Sequence, residues 1–513
     1  MNQLKTFILA NSDKNNHYVY DREKNSTLLC NPILHHFLKL FQQGTDIRQW
    51  IDSIETGSFP VEIQDCGTVS KDELEYYYSK FLFLKESGYF SEPKEEKFPT
   101  GHIKPEFIEF SLANCRQITF EVTERCNLNC KYCGYGHFYK VYGNRKENDL
   151  PISKAQRFLN FMTPFWNSHL NTSYGKTIYI SFYGGEPLLN MEFIKAIVDY
   201  AGKLKLKNNQ VQFSMTTNAL LLGKYMDFLV ENRFNLLISL DGSENNNGYR
   251  VYKNGKPAFH DILKNIYALR DRFPVYFNER VNFNAVLHDK NSVKEIHTFF
   301  KDCFDKIPRI GELKNIGVKT AKQRDFMKIY TAINESLYSD NTDSYTIKRE
   351  MFIKLPEIQA LNTFLSQYSG FIFEDYKQLS SDLKHKKHIP TGTCMPFSKK
   401  IFVAVSGKLL PCESIIRRFT LGKITEKKVV MDFKRIAHLY NTYYEKISTQ
   451  CNLCYNKEAC VACIFNLIGA GYIPTCHYWM DYPRFSNYLS RTLNYFEKEP
   501  FYYPLIMEGV SVD

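Results

Sequence analysis

Between residues 115 and 320 the chain alternates short apolar runs with longer amphipathic stretches. Runs near 117–122, 177–183, 211–216, 235–240, 281–287 and 312–318 read as strands. Segments between them, such as 193–206 and 258–273, carry their apolar residues at helical spacing. Alternation on this scale predicts an α/β fold of six parallel βα units. The first hundred residues read differently. Strand-like Lys5-Thr-Phe-Ile-Leu9 and His17-Tyr-Val-Tyr20 flank a turn-rich stretch at 11–16, and helical stretches follow at 33–41 and 71–87. That pattern predicts a small α+β domain over 1–100. Residues 321–392 form a less patterned connector, with a polar run at 339–344 and helical pieces around 326–337 and 355–368. A cysteine-rich segment spans 393–480, and 481–513 reads as a helical tail.

Composition narrows the class. Among 513 residues, 44% are hydrophobic and 24% charged, which argues against a disordered or fibrous chain. No apolar run reaches the ~18 residues of a membrane span. The four apolar residues Phe7 to Ala10 are too few for a signal-peptide core. The chain is therefore expected to be cytoplasmic, with no membrane partner. A net charge of +11 favours anionic partners, but the basic residues are spread out, and nucleic acid is not expected. The one local basic cluster, 384–388, reads as a solvated loop.

Cysteine placement carries most of the chemistry. Of 14 cysteines, three lie between Cys126 and Cys133 and seven between Cys394 and Cys476. Cys30, Cys66, Cys115 and Cys303 read as small buried hydrophobes. In a reducing interior, tight clusters point to metal rather than disulfides. The first cluster is C-x3-C-x2-C: Cys126, Cys130 and Cys133. Three thiolates satisfy three irons of a four-iron cluster and leave one open. Zinc with His137 as fourth ligand is the alternative on local spacing.

With these residues in view, the sequence resembles the radical S-adenosylmethionine superfamily. Tyr132 is the aromatic residue that the family places before its third cysteine. Ile178-Tyr-Ile-Ser-Phe-Tyr183 runs into Gly184-Gly185-Glu186-Pro187, the family's GGEP motif. The resemblance implies a partial (βα)6 TIM-type barrel with one 4Fe-4S cluster on Cys126, Cys130 and Cys133. It implies that the GGEP turn binds the methionyl amino group of S-adenosylmethionine. It further implies that Thr217 and Asn218 lie near the ribose, and that Ser239 and Arg250 meet the carboxylate, a task suited to the planar fork of arginine.

The C-terminal cysteines are similar to the SPASM extension of radical enzymes that act on peptides: Cys394, Gly407 and Cys412, then Cys451, Cys454, Cys460 and Cys463, then Cys476. The family usually has three residues where this chain has two, between Cys460 and Cys463. The resemblance implies one auxiliary 4Fe-4S cluster on Cys451, Cys454, Cys460 and Cys476, and a second on Cys394, Cys412 and Cys463. The second is short of one ligand, a role open to His388, to water or to substrate; zinc is a chemical alternative for both sites.

The 1–100 segment looks like a winged-helix peptide-recognition domain, whose open hairpin edge would accept an extended leader peptide as an added strand. The first functional expectation is thus a maturase of ribosomally made peptides, reduced by a flavodoxin or ferredoxin. Its 5′-deoxyadenosyl radical would take hydrogen from a precursor peptide and set a carbon–carbon or thioether cross-link. A sulfatase-type maturase, oxidising Cys or Ser to formylglycine, is the second reading. A non-catalytic, metal-stabilised binding protein is the third. No catalytic acid or base is readable.

Overall fold

The structure is a computed structural model that describes residues 4–54, 58–91, 103–139, 147–315, 317–338, 344–351, 355–369, 391–467 and 476–508. The basic cluster at 384–388, with His388, and most of the polar run at 339–344 lie outside the described residues. The chain divides into two units. One comprises Met1–His102, Ile353–Gly392 and Tyr443–Asp513, and the other Ile103–Phe352 and Thr393–Thr442. No helix among the described residues is long and apolar enough to cross a membrane.

In the smaller unit Phe7–Asn11 (β1), His17–Asp21 (β2) and Ser26–Cys30 (β3) form an antiparallel sheet in the order β1-β2-β3. The expected hairpin thus gains a third strand. Asn15 and Asn25 make the two turns tight by adopting positive φ, which asparagine tolerates better than most residues. The helix Pro32–Gln42 begins where the Asn31 side chain accepts the Ile33 N–H, with proline in its first turn. It buries Ile33, Leu34, Phe37 and Leu38 in one core with Phe7, Leu9 and Val19. A capping box between Ser70 and Glu73 starts the helix Lys71–Glu86, which adds Leu74 and Phe81 to that core. A short hairpin, Val61–Ile63 (β4) with Gly67–Val69 (β5), lies between these helices in sequence. The helices Pro356–Gln367, Tyr482–Lys498 and Tyr502–Glu508 belong to the same unit.

The larger unit is built on parallel strands Gln117–Thr123 (β6), Thr177–Gly184 (β7), Gln210–Thr217 (β8), Asn235–Ser239 (β9), Val281–Leu287 (β10) and Arg309–Glu312 (β11). They pair in sequence order, with helices between them, as a barrel-like α/β core. The sixth strand ends where 312–318 was expected to begin. Its partner β10 stops at Leu287, opposite Glu312, and Val318 instead bridges Tyr139. Beyond β6 the sheet continues through Ile401–Val403 (β12), parallel to β6, then Lys408–Leu410 (β13), Gly422–Ile424 (β14) and Val429–Val430 (β15).

Strand alternation sorts the two faces of this sheet. Phe120, Phe182, Phe213 and Phe234 share one face, where Phe120 and Phe182 meet Phe193 of the helix Met191–Gly202 at 6.0 and 6.5 Å between ring centroids. The opposite face is polar. Gln117 Nε2 donates to Ser181 Oγ at 3.2 Å, and Ser181 Oγ lies 2.6 Å from Ser214 Oγ. Helices cover the apolar face, so the strand ends are left for chemistry.

Candidate functional site

The cysteine loop leaves β6 at Thr123 and is held by backbone bonds from two directions. Gly185 N–H donates to Thr123 O and Glu186 N–H to Arg125 O, both at 2.8 Å. On the other side Asn129 N–H donates to Val251 O at 2.8 Å and Lys131 N–H to Tyr249 O at 3.3 Å. The glycine pair is required by this contact. A Cβ on Gly185 would fall 2.0 Å from Arg125 O, and one on Gly184, whose φ is +131°, 2.4 Å from Thr123 O.

Cys126 is buried, whereas Cys130 and Cys133 are half-buried. Leu128 N–H reaches Cys126 Sγ at 3.5 Å, and Asn218 Nδ2 lies 3.9 Å from the same sulfur. Burial pushes the Cys130 thiol up to about 12; Arg250 opposes this, and the neighbouring Cys133 and Cys126 reinforce it. The three thiols are therefore close enough to interact. Among the described residues, no group of three or more His, Cys, Asp or Glu side chains is arranged to hold a single metal ion. The trio and its soft sulfur chemistry fit a four-iron cluster, in which each thiolate serves a different iron. A cleft of about 460 Å³ opens beside Cys126, lined by Arg125, Asn127, Leu189 and Tyr252 among others.

Glu186 lies at the centre of a second constellation. Its carboxyl is fully buried and accepts from Thr217 Oγ1 at 2.7 Å, Asn218 N–H at 2.7 Å and Leu188 N–H at 3.1 Å. Burial outweighs these bonds and pushes its pKa up to about 7. Asn218 Nδ2 also donates to Asn127 Oδ1 at 2.8 Å, tying this constellation to the cysteine loop. The geometry thus brings Gly184, Gly185, Glu186, Thr217 and Asn218 together with Cys126. Pro187 begins the short 3-10 turn Pro187–Asn190 beneath them.

The third constellation centres on a residue to which the sequence reading gave no role. Asp241, fully buried after β9, takes both arms of the Arg250 fork at 3.0 Å and the Val286 N–H at 3.0 Å. The Tyr132 hydroxyl donates to the same carboxylate, and His288 Nε2 stands 3.7 Å away. Burial acts to raise Asp241, but Arg250 and His288 prevail and hold it below the usual carboxylate range. Arg250 therefore faces Asp241 in this structure, while Ser239 ends β9 two residues earlier. The available signal was an acid directly after an apolar strand, with an arginine nine residues on.

A fourth network joins an acid of the first parallel strand to partners far away in sequence. Glu121, buried on β6, accepts from Arg417 Nη2 and Tyr135 Oη, each at 2.6 Å, and from Val405 N–H at 2.9 Å. Arg417 Nη1 is buried with no hydrogen-bond partner among the described residues. Arg417 follows Cys412, so the segment after that cysteine is pinned to the first strand of the parallel sheet. Gly407 turns the chain from β12 into β13 at positive φ, where a Cβ would meet Ile424 O at 2.7 Å.

Residues 120–303 match the family model described as Radical SAM superfamily. Over 178 residues it is 35% identical to an uncharacterised protein of Methanocaldococcus jannaschii, covering 34% of this chain and 54% of that one. It is 31% identical over 184 residues to the cysteine-type anaerobic sulfatase-maturating enzyme of Clostridium novyi, covering 35% of this chain and 46% of that one. The chain thus spans about half the length of these curated relatives. The solved structure of native anSMEcpe with bound AdoMet and Cp18Cys peptide aligns with TM-score 0.49 and 18% identity, covering 77% of this chain and 98% of that one. All the first-loop and GGEP residues fall inside the matched stretch 120–303.

Outside it, Cys394 and Cys412 belong to the larger unit, whereas Cys451, Cys454, Cys460, Cys463 and Cys476 belong to the smaller. Cys454 Sγ accepts the Met480 N–H at 3.4 Å, and Cys476 N–H donates to Gln450 Oε1 at 3.3 Å. Burial raises the thiols of Cys454 and Cys476, and the nearby Cys460 raises both further, so these three lie within interaction range.

Proposed function

We propose that the protein is a radical S-adenosylmethionine enzyme that modifies a side chain of a peptide or protein segment. The observation that carries this reading is the GGEP turn bonded directly onto the entrance of the three-cysteine loop, inside the matched stretch. Cys126, Cys130 and Cys133 would hold the cluster. With the cluster and S-adenosylmethionine bound, the site would supply a 5′-deoxyadenosyl radical able to take a hydrogen atom from carbon. Glu186, poised near half-ionisation at neutral pH, would become a full carboxylate beside a cationic amino group. Thr217 and Asn218 would hold Glu186 in place and border the ribose, and Ser239 would meet the cofactor carboxylate. Arg250 fixes Asp241, which in turn fixes Tyr132 of the cysteine loop. Arg417 Nη1 is a buried donor suited to a peptide carbonyl.

Between the two peptide chemistries, oxidation of a Cys or Ser to formylglycine is favoured over cross-linking. Support comes from the likeness to the C. novyi enzyme, 46% of whose length is matched. Cross-link formation on a leader-bearing precursor is the second reading, favoured by the N-terminal sheet. Its β1 edge is covered: Tyr482 Oη accepts the Leu9 N–H at 3.1 Å, Ser486 Oγ donates to Leu9 O at 2.6 Å, and Ser490 Oγ accepts the Asn11 N–H at 3.2 Å. β3, the terminal strand on the other side, is the edge for an added peptide strand, and its own Leu29 is 69% exposed. The auxiliary cysteines would hold two further 4Fe-4S clusters, and a flavodoxin or ferredoxin would supply electrons.

The test is anaerobic reconstitution with iron, sulfide, S-adenosylmethionine and a cysteine-containing sulfatase-type peptide. Formylglycine gives a hydrazide-reactive aldehyde, whereas a cross-link removes two hydrogens and resists fragmentation across the ring. Formation of 5′-deoxyadenosine with neither product would reject both chemistries for that peptide class.

A further inference from the structure

In the smaller unit, one buried tyrosine is bonded at its two ends to segments more than 400 residues apart in sequence. Thr27, the second residue of β3, donates its Oγ1 hydrogen to the Tyr368 backbone carbonyl at 3.0 Å. The Tyr368 ring is fully buried, edge-on to Tyr20 of β2 at 5.3 Å and to Phe485 at 5.2 Å. Its hydroxyl donates to Asn456 Oδ1 at 2.9 Å and accepts the Ala459 N–H at 3.2 Å. Asn456 and Ala459 both lie in the five-residue loop between Cys454 and Cys460.

A buried tyrosine hydroxyl must find partners or lose the free energy of its hydration. Here both its donor and its acceptor capacity are used on one loop, at the two points that set the loop's span. The same residue's carbonyl is used on the terminal strand of the sheet. The contact chain Thr27–Tyr368–Asn456/Ala459 is continuous, with one rigid aromatic ring in its middle. Any shift of β3 along or away from the sheet moves the Tyr368 carbonyl, and any shift of the ring breaks one of the two loop bonds. The β1 edge is held by the helix Tyr482–Lys498, and the chain just before β1 reaches the same loop through Tyr455, whose hydroxyl accepts the Lys5 N–H at 2.8 Å; Tyr368 is the link to β3.

We propose that Tyr368 is a positioning residue that ties the conformation of the Cys454–Cys460 loop to strand β3. Occupation of the β3 edge by a peptide strand is thereby read at the thiols of that loop. The occupant and the cluster rest on the function proposed above; the mechanical coupling is a property of the chain itself and is measured without peptide or metal.

The experiment is hydrogen exchange by mass spectrometry on the full, metal-free chain. Thr27→Val removes only the strand-side bond, and Asn456→Ala removes only a loop-side bond. Coupling is reciprocal by linkage. Thr27→Val should therefore speed exchange at 454–460, and Asn456→Ala should speed exchange at 26–30, each on the order of fivefold. Tyr368→Phe keeps the ring and loses the hydroxyl. In that background Thr27→Val should no longer affect 454–460. Alkylation of Cys454 and Cys460 by iodoacetamide should follow the same pattern. A residue that merely fills the core would give a different result, with β1 and β3 accelerating together and additive effects in the double variants. Confinement of each effect to its own segment, or acceleration of β1 equal to that of β3, would overturn the coupling. Exchange at 177–184 in the other unit controls for folding. If the coupling holds but no peptide protects 26–30, the docking reading fails and the positioning role stands.

Discussion

Glu186 is a carboxyl kept largely protonated by burial until about pH 7, and this has a measurable cost in the metal-free protein. At about 1.4 kcal/mol for each unit of pKa, the rise from 4.5 to about 7 corresponds to about 3 kcal/mol of tighter proton binding in the folded state. The sign follows from linkage. The folded protein binds this proton more tightly than the unfolded chain, so stability is greatest below about pH 4.5 as far as this group is concerned. It declines as pH rises towards 7, and the full ~3 kcal/mol has been lost above that. Glu186→Gln removes the titration. It keeps an oxygen for Thr217 and Leu188, but it faces the Asn218 N–H with a donor, at a constant cost of about 1–3 kcal/mol. The assay is guanidinium unfolding of both proteins from pH 5 to 8, followed by hydrogen exchange in β7 and β8. His17, His35 and His36, which burial lowers, titrate identically in both proteins and cancel in the difference. The variant should gain about 2.5 kcal/mol relative to wild type between pH 5 and pH 8. A difference that stays flat across that range would refute the claim that burial dominates this carboxyl.

Other outcomes follow from the same geometry. Gly185→Ala drives a Cβ into the Arg125 carbonyl, so it should cost about 1–3 kcal/mol in thermal unfolding and reduce the iron retained after reconstitution. Arg250→Met leaves the Asp241 carboxylate buried without its main partner, for a loss of about 3–5 kcal/mol at pH 7. Adding Asp241→Asn should recover part of that loss, and a double-mutant cycle measures the coupling. With the arginine gone, the Asp241 carboxyl should rise, so acidification from pH 7 to 5 should stabilise the single variant more than the double variant, the Glu186 contribution being common to both.

Much of the larger unit was legible because its strands and helices announce themselves locally. Each of the first five barrel strands was placed within one or two residues, since an apolar run flanked by amphipathic stretches has few alternatives. Strands β12 to β15 escaped notice because they are two or three residues long and gain their character from pairing with β6 and with each other. The helical piece expected over 326–337 is two helices, Gln323–Met327 and Ile333–Tyr338. Between them Tyr330 turns its hydroxyl to Glu312 at 2.9 Å and Ile329 O accepts from Asp289 N–H, so the segment serves tertiary contacts. At the site, the motif residues could be named from spacing alone, but their partners could not. Glu121 was visible as an acid in an apolar strand, yet its Arg417 partner lies 296 residues away. The family resemblance implies the cofactor carboxylate as the partner of Arg250, and the carboxylate its fork meets in this structure is Asp241.

The central claim is that the thiols of Cys126, Cys130 and Cys133 hold an iron–sulfur centre that cleaves S-adenosylmethionine. The most direct measurement is 5′-deoxyadenosine formation under anaerobic reduction, compared between the reconstituted full chain and a variant with all three cysteines changed to alanine. The account predicts product from the first, with iron and sulfide bound, and none from the second. Equal product from both, or an intact chain that binds no iron and forms none, would contradict it.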